Sequence, residues 1–393
     1  MGKILRTGII LIIVISVIFF TEYYSLKGLN IVLKDYSIKG LGKYLYWGIL
    51  PFLIILLVIN FMVYPPEENP KSFINIFTIA TLVILFVAPK LIIASFYVIE
   101  NILYFILNLS SGLINYLFSS GFLLKRFHFI SYTGVIAGVI MFFLLIYGNL
   151  IGRFDYKVNL EKLQFPDLPE SFNSFKIVQI SDLHIGSFYR KPGKVMQAVE
   201  QINKLEPDLI VFTGDLVNNF AEEAYPFIDS LKKLEARYGK YSILGNHDYG
   251  DYYNWSKEAK KKANLEKLKT YHKLMGFDLL LNENRNININ GQSITLIGIE
   301  NWGLPPFPQY GDLDKAIKNV EKGNFKILLS HDPSHWDAEV KGQTGINLTL
   351  SGHTHGMQMG IYNKKMKWSP VKWRYPKWGG LYRENGQYLY VNV

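Results

Sequence analysis

The sequence predicts an N-terminal α-helical transmembrane region followed by an α/β domain. Three observations carry this. Charge is unevenly spread: residues 1–152 hold 10 Lys/Arg and 5 Asp/Glu, whereas residues 153–393 hold 32 and 27. The first part contains long uncharged apolar runs, and a spanning helix needs about 20 such residues. The second part alternates short apolar strands with amphipathic helical stretches, the α/β pattern. The boundaries read as 1–152 transmembrane, 153–174 connector and 175–393 α/β domain. At 49% apolar with this patterning, disorder is excluded for most of the chain. The absence of cysteine excludes disulfide and thiolate-metal scaffolds.

In the first part, Leu45–Tyr64 and Phe127–Gly152 are uncharged over a full span, with His128 neutral. Ile4–Phe20 is shorter and carries Arg6 near its start, where the side chain can snorkel. Further spans follow it without a small-residue cleavage site, which disfavours a removed signal peptide. Ser72–Leu107 reads as one tilted or broken span, giving four in all; two spans there, giving five, is the alternative. Thr21–Tyr44 reads as a loop, and Lys90 as a residue that snorkels or ends a helix, with a functional polar site within the apolar run as the alternative. Basic flanks balance six against six on a four-span reading, so the positive-inside rule sets no orientation. Lys125-Arg126-Phe127-His128-Phe129 is similar to a twin-arginine export signal with Lys in place of the first Arg. That similarity places the C-terminal domain outside; an ordinary basic anchor is the competing reading.

In the second part, residues 153–171 are polar with two prolines, a connector. Strands are expected at Lys176–Ser181, Asp208–Thr213, Lys240–Leu244, Phe325–Leu329 and Ile346–Leu350. Helices are expected at Lys194–Leu205, Glu222–Ala236, Ser256–Met275 and Leu313–Val320. Phe277–Glu300 reads as a strand and then a hairpin, with Asn290-Gly291 as a type I′ turn.

Polar residues stand at the carboxyl ends of five of these strands: Asp182 and His184, Asp215, Asn246 and His247, His331, and His353 and His355. Ligands of open α/β sheets bind beyond strand carboxyl ends, so one geometric rule gathers the whole set. Each piece alone has a bland reading: a turn aspartate, an Asn/Gly turn, a capped core histidine. The ordered set needs five such coincidences. Imidazole, carboxylate and amide donors without sulfur suit Mn, Fe, Zn or Co rather than a calcium cage. Seven ligands exceed one tetrahedral ion; two ions about 3.5–4 Å apart, sharing a carboxylate, would use them all.

This ordered set resembles the calcineurin-like metallophosphoesterase family over roughly Lys176–His355. It looks most like membrane-anchored bacterial phosphodiesterases. The resemblance implies a two-sheet β-sandwich flanked by helices and a dinuclear site. It implies that Asp182, His184 and His355 hold one ion, that Asp215 bridges, and that Asn246, His331 and His353 hold the other. His247 is then the catalytic group that contacts phosphate and assists the leaving oxygen. Asp248 is expected either to orient His247 or to serve a structural turn. The implied reaction is hydrolysis of a phosphodiester or pyrophosphate, lipid-linked ones included, by a metal-bridging hydroxide, at a bacterial cell membrane; the export-like run Lys125–Phe129, and not the resemblance, places the domain extracytoplasmic. Met357 stands where the family often has a second Gly after the GHTHG run, a change at the pocket rim. Members commonly continue past a strand such as Tyr388–Val393 with a Gly-rich turn, whereas this sequence stops at Val393.

Competing readings are a cytoplasmic-face nucleotide-sugar-lipid pyrophosphatase, a non-catalytic sensor or scaffold, and a transporter. All seven ligands and His247 are present, which argues against the scaffold; paired intramembrane polar residues, which a transporter needs, are few. Lys364–Arg383 holds seven Lys/Arg, no acid, and Trp368, Trp373, Tyr375, Trp378 and Tyr382. It suits a membrane interface or a phosphate headgroup better than nucleic acid, with a solvated basic loop as the plain alternative. Asn301–Pro306 reads as turn packing ahead of a pocket-wall role. Substrate identity, native metal and oligomeric state are not encoded legibly.

Overall fold

The computed structural model describes residues 2–33, 40–63, 70–118, 121, 126, 128–188, 191–305, 307–362 and 367–393. The chain divides into two compact units, Met1–Tyr156 and Lys157–Val393.

The first unit is built from four long helices, α1 (Gly2–Leu33), α2 (Leu41–Val63), α3 (Pro70–Phe118) and α4 (Phe129–Leu150). Three stretches among the described residues, Leu41–Asn60, Asn75–Phe118 and Phe129–Phe154, are long and apolar enough to cross a membrane. The expected Ile4–Phe20 span lies within α1, largely among side chains outside the described set. Helix α1 runs on through Leu33, so Thr21–Leu33 is helix and not loop. Helix α3 is unbroken over 49 residues, eleven beyond the expected Leu107 limit. At 1.5 Å per residue it is about 74 Å long, more than twice the ~30 Å hydrocarbon thickness. Pro89 sits inside it and leaves one backbone carbonyl without its helical partner. Helix α4 approaches this stretch through Gly134 and Gly138: a Cβ at Gly138 would meet Ile93 Cγ1 at 2.6 Å and the Pro89 carbonyl at 3.0 Å. This small-xxx-small spacing lets two helices close up where the bilayer supplies no hydrophobic drive between them.

Lys90 neither snorkels nor ends a helix. It is buried, with Nζ 2.7 Å from both carboxylate oxygens of Glu22 and 4.0 Å from the centre of the Tyr46 ring. The Tyr46 hydroxyl lies 2.6 Å from Ser25 Oγ. Helices α1, α2 and α3 thus meet on one ion pair. Glu100 makes a second polar knot: its carboxylate accepts from the Ser131 N–H (2.9 Å) and lies 3.1 Å from Arg126 Nη2 and 2.9 Å from His128 Nδ1. A carboxylate at these N–H groups complements the positive end of α4. Lys125 of the export-like run lies outside the described residues.

Among the described residues the second unit carries two large sheets and a small two-stranded one. The first is fully parallel, in order β1 (Ile177–Ile180), β2 (Leu209–Phe212), β3 (Lys240–Ser242), β4 (Asp278–Leu279). The second contains β5 (Glu283–Ile289), β6 (Gln292–Gly298), β7 (Phe325–Leu329) and β8 (Leu348–Ser351), with a short separate pair, β9 (Ile361–Tyr362) and β10 (Lys367–Trp368), then β11 (Gly380–Glu384) and β12 (Gln387–Val391). Its order is β11-β12-β8-β7-β6-β5, mixed, with β12, β8, β7 and β6 parallel to one another. The β5–β6 hairpin turns on Asn290 (φ 49°) and Gly291 (φ 77°), the two positive φ values of a type I′ turn.

Strand alternation dictates the layers. Leu209 and Val211 of β2 pack between the sheets with Ile294, Leu296, Ile327, Leu329, Leu348 and Leu350. The alternate residues, Ile210 and Phe212, face α5 (Pro192–Asn203), α6 (Ile228–Lys232) and α7 (Glu258–Leu274) through Val195, Val199, Leu231, Leu268 and Tyr271. On the far side, Ile297, Leu328, Leu389 and Val391 face Trp336 and α8 (Leu313–Ala316). The outcome is the two-sheet sandwich flanked by helices. Glu222–Ala236 is not one helix: two short 3-10 turns precede α6, because Pro226 interrupts the helical ladder. Helix α8 ends at Ala316, short of the expected Val320.

Candidate metal centre

The expected donors follow the carboxyl ends of β1, β2 and β3 in one sheet and of β7 and β8 in the other. Both sheets therefore deliver side chains to one edge of the sandwich. The chain reverses abruptly there: Asp182, His184, Asp215, His353 and His355 all have positive φ, between 40° and 73°. Non-glycine residues pay for that conformation, typically 1–3 kcal/mol each, and such strain clusters at functional sites. Neighbouring glycines make room. A Cβ at Gly245 would strike the Asp215 carboxylate, and one at Gly352 would strike Ser181 and Asp182. Nothing in the spacing of the motifs announced this run of left-handed residues.

The donor atoms form two groups that share Asp215. In one, Asp182, His184, Asp215 and His355 place one ligand atom each within 4.8 Å of the others. His184 Nε2 lies 3.1 Å from His355 Nε2 and 3.5 Å from Asp215 Oδ2, and His355 Nε2 lies 3.2 Å from Asp182 Oδ1. In the other, Asp215, His331 and His353 meet the same limit. Asn246 Oδ1 joins it, 3.1 Å from His331 Nε2 and 2.8 Å from His353 Nδ1. The fit to cations is one of chemistry: lone pairs of imidazole, carboxylate and amide converge, and two imidazole nitrogens 3.1 Å apart share at most one proton between them. All seven expected ligands are brought together.

Surrounding groups fix which nitrogen faces inward. His331 Nδ1 is 2.7 Å from the Thr213 carbonyl, so that edge carries the hydrogen and Nε2 is left for the cluster. His353 Nε2 is 2.7 Å from the Tyr375 hydroxyl, with Nδ1 inward. His247 lines the cavity, its ring centre 4.7 Å from that of His184. Its Nδ1 lies 2.8 Å from the Asn218 carbonyl. Asn218 is held in turn by the buried Glu223 carboxylate, which accepts from the backbone N–H groups of Asn218, Asn219 and Phe220. Asp248 does not orient His247. Fully buried, it accepts from the N–H groups of Gly245, Asp215, Leu216 and Val217, stapling the GD and GNHD loops together. The supports Asn218 and Glu223 were missed, since neither stands in a motif or at a strand end, and Tyr375 was noted only as one aromatic of the basic stretch Lys364–Arg383.

Burial pushes His184 down to about 4, against the pull of Asp215. Burial also opposes charge on Asp215 and His331, but their attraction at 3.2 Å prevails: Asp215 is held well below the usual carboxylate range and His331 is raised to about 10. The remaining histidines have plain structural partners. His272 Nδ1 meets Ser242 Oγ at 3.0 Å, His335 lies between Ser330 and Glu339, and His128 belongs to the Glu100 knot.

A cavity of about 680 Å³ opens over the cluster, lined by Asp215, Asn246, His247, His353 and His355 and walled by Tyr252, Pro305, Phe307, Met357, Arg374 and Tyr375. The loop after β6 is thus a pocket wall and not mere turn packing, though Trp302 within it is buried against His335; Pro306 lies outside the described residues. Arg374 ties the wall together by donating to the Pro305 carbonyl at 2.6 Å. Met357 has φ 51°, a conformation glycine adopts at no steric cost.

Residues 175–357 match the family described as "Calcineurin-like phosphoesterase", and residues 6–153 match "Probable Calcineurin-like phosphoesterase, transmembrane domain". The chain is 32% identical over 234 residues to the Bacillus subtilis protein named "Uncharacterized metallophosphoesterase YkuE", covering 57% of this chain and 73% of that one. The chain belongs to the calcineurin-like metallophosphoesterases. A Bos taurus protein named "Transmembrane protein with metallophosphoesterase domain" is 33% identical over 205 residues, 49% of this metallophosphoesterase but only 43% of the bovine protein. Among solved structures, the phosphopantetheinyl hydrolase PptH of Mycobacterium tuberculosis matches over 55% of this chain and 87% of its own. Its TM-score is 0.33 at 14% identity, too slight a likeness to carry inference. The metallophosphoesterase is an integral membrane protein of a family that uses divalent metals.

Proposed function

We propose that this metallophosphoesterase hydrolyses a phosphodiester or pyrophosphate, lipid-linked in its natural setting, with two divalent ions drawn from Mn, Fe, Zn and Co. The observation that carries the reading is the pair of donor groups sharing Asp215 on the floor of the cavity. Asp182, His184, Asp215 and His355 would hold one ion, and Asp215, Asn246, His331 and His353 the other. When bound, such a pair supplies Lewis acidity at phosphorus and a water ionised at neutral pH.

The chain's own residues account for the rest. The strained loops hold the donors in place before any ion arrives, so little reorganisation remains. Thr213 and Tyr375 keep one nitrogen of His331 and one of His353 turned inward. With Nδ1–H of His247 donated to the Asn218 carbonyl, Nε2 is the edge that meets phosphate. In the hydrolytic step an oxygen from water bonds to phosphorus, the bond to the leaving oxygen breaks, and His247 passes a proton to that oxygen, the proton lost by the water making good the one His247 gives. Tyr252 and Phe307 flank His247 and His353, with ring centres 4.4 and 5.4 Å away, and offer apolar faces to the rest of the substrate. The catalytic unit is read as extracytoplasmic on a bacterial cell membrane, supported by the export-like residues before α4.

The test uses the full chain, purified metal-free in detergent. An aryl phosphodiester, an aryl phosphomonoester and a lipid pyrophosphate are supplied with Mn, Fe, Zn or Mg singly. Turnover of the diester or pyrophosphate with Mn, Fe or Zn is expected, and Asp215→Asn should lower it at least ~10³-fold, since one carboxylate serves both groups. Full metal-dependent activity in Asp215→Asn would overturn the assignment. Protease accessibility of the catalytic unit in spheroplasts checks the orientation.

A further inference from the structure

Residues 356–362 and 367–378, ahead of β11, build a small lobe beside the cavity mouth. Ser369 Oγ donates to the Gly356 carbonyl at 2.7 Å and Thr354 Oγ1 to the Trp378 carbonyl at 2.5 Å, so two hydrogen bonds tie the turn bearing His355 to the segment 369–378. Val371, Tyr375 and Trp378 form its buried centre. That burial accounts for only some of the aromatic residues in the stretch. Outside it, Met357 is 57% exposed, Met359 54%, Trp368 39% and Trp373 76%. The two indoles meet edge to face with ring centres 6.4 Å apart. Elsewhere in this unit, exposed large apolar side chains such as Leu160, Tyr225 and Leu274 are scattered among other segments. Lys367, Lys372 and Arg374 are exposed on the same lobe, and Lys364–Arg383 contains no acidic residue.

We propose that this lobe docks into the headgroup layer of an anionic bilayer, setting the cavity mouth against the lipid surface. Charge and composition select this occupant. Tryptophan seats at the headgroup level, where its ring is dry and its N–H wet, and neighbouring cations are drawn to anionic lipid. The same chain carries helices long and apolar enough to span a membrane, so a bilayer is always tethered to this unit. Met357 belongs both to the exposed patch and to the cavity wall, which makes the docked surface continuous with the route to the cluster. A phosphoester on a lipid headgroup would then reach the cluster without leaving the membrane plane; that consequence rests on the phosphoesterase reading above, whereas the docking does not.

The experiment is quenching of tryptophan fluorescence by brominated acyl chains, with the full chain in nanodiscs of phosphatidylglycerol or of phosphatidylcholine. The protein has seven tryptophans, and Trp47 lies in α2, inside the membrane region. Docking predicts that Trp47, Trp368 and Trp373 are quenched in phosphatidylglycerol, and that Trp368→Phe/Trp373→Phe reduces the quenched population from three indoles to one. The difference should shrink in phosphatidylcholine. Equal quenching of wild type and double variant in both lipids overturns the proposal. So does shielding of the two indoles from acrylamide in lipid-free detergent that grows with protein concentration, because the patch would then be a contact between copies. Asp215→Asn, run alongside, separates the claims: it should lose turnover while keeping the wild-type quenching.

Discussion

Asp248 shows how much of this site depends on a residue that reaches neither substrate nor ion. One buried carboxylate satisfies four backbone N–H groups in two loops, and those loops carry Asp215, Asn246 and His247. Asp248→Ala strands those donors in a buried place and should cost about 3–5 kcal/mol, read as a lowered thermal midpoint of the catalytic unit. His272 makes a second prediction. Burial pushes it down to about 4 from an ordinary 6.5, and its Nε2 has no hydrogen-bond partner among the described residues. The unfolded chain therefore binds more protons than the folded one between those values. Stability from this group is complete above about pH 6.5, falls as pH drops, and is lost by about pH 4, a span of about 3 kcal/mol. His272→Gln should flatten the acid arm of a thermal-midpoint-against-pH curve; an unchanged slope would show that His272 is not the group responsible. The donors that the fold gathers at one edge of the sandwich were legible in the sequence because strand-end motifs advertise them. The supports were not: Asn218, Glu223 and Tyr375 act through hydrogen bonds that only the folded chain brings within reach.

At the scale of elements, α3 and the Glu22–Lys90 pair revise the picture most. A lysine in an apolar run reads as a snorkelling end because snorkelling needs no partner, whereas the actual partner lies 68 positions away. Breaking such a buried pair from one side leaves an unpaired charge. Lys90→Met should destabilise the membrane unit by about 3–5 kcal/mol, and Glu22→Gln combined with it should recover part of the loss. The readout is the unfolding midpoint in detergent; no loss in Lys90→Met would mean the pair is solvated. The five strands that end at the polar turns were legible to within two residues because Val, Ile and Leu runs stop there, and Phe325–Leu329 matches at both ends, whereas β9, β10 and β11 went unread. The Glu222–Ala236 helix failed because apolar spacing outweighed Pro226 in the reading. The Gly134/Gly138 approach of α4 to α3 carried a usable small-xxx-small signal that hydropathy alone overlooks.

At the scale of the molecule, the partition into an apolar helical unit and a charged α/β unit was written plainly in the charge distribution, and the chain divides at Tyr156. The pairing of two separate sheets came from the family resemblance alone, because strand periodicity reports which face is buried and never against which sheet. The site depends on that pairing: β1, β2 and β3 deliver Asp182, His184, Asp215 and Asn246, while β7 and β8 deliver His331, His353 and His355. The proposed hydrolysis therefore requires the whole sandwich to be intact before two cations can be held. Anomalous diffraction from crystals of the full chain grown with manganese tests this most directly. The account predicts two anomalous peaks, one among Asp182, His184 and His355 and one among Asn246, His331 and His353, with Asp215 reaching both; a single peak elsewhere on the surface, or none at saturating manganese, would contradict it.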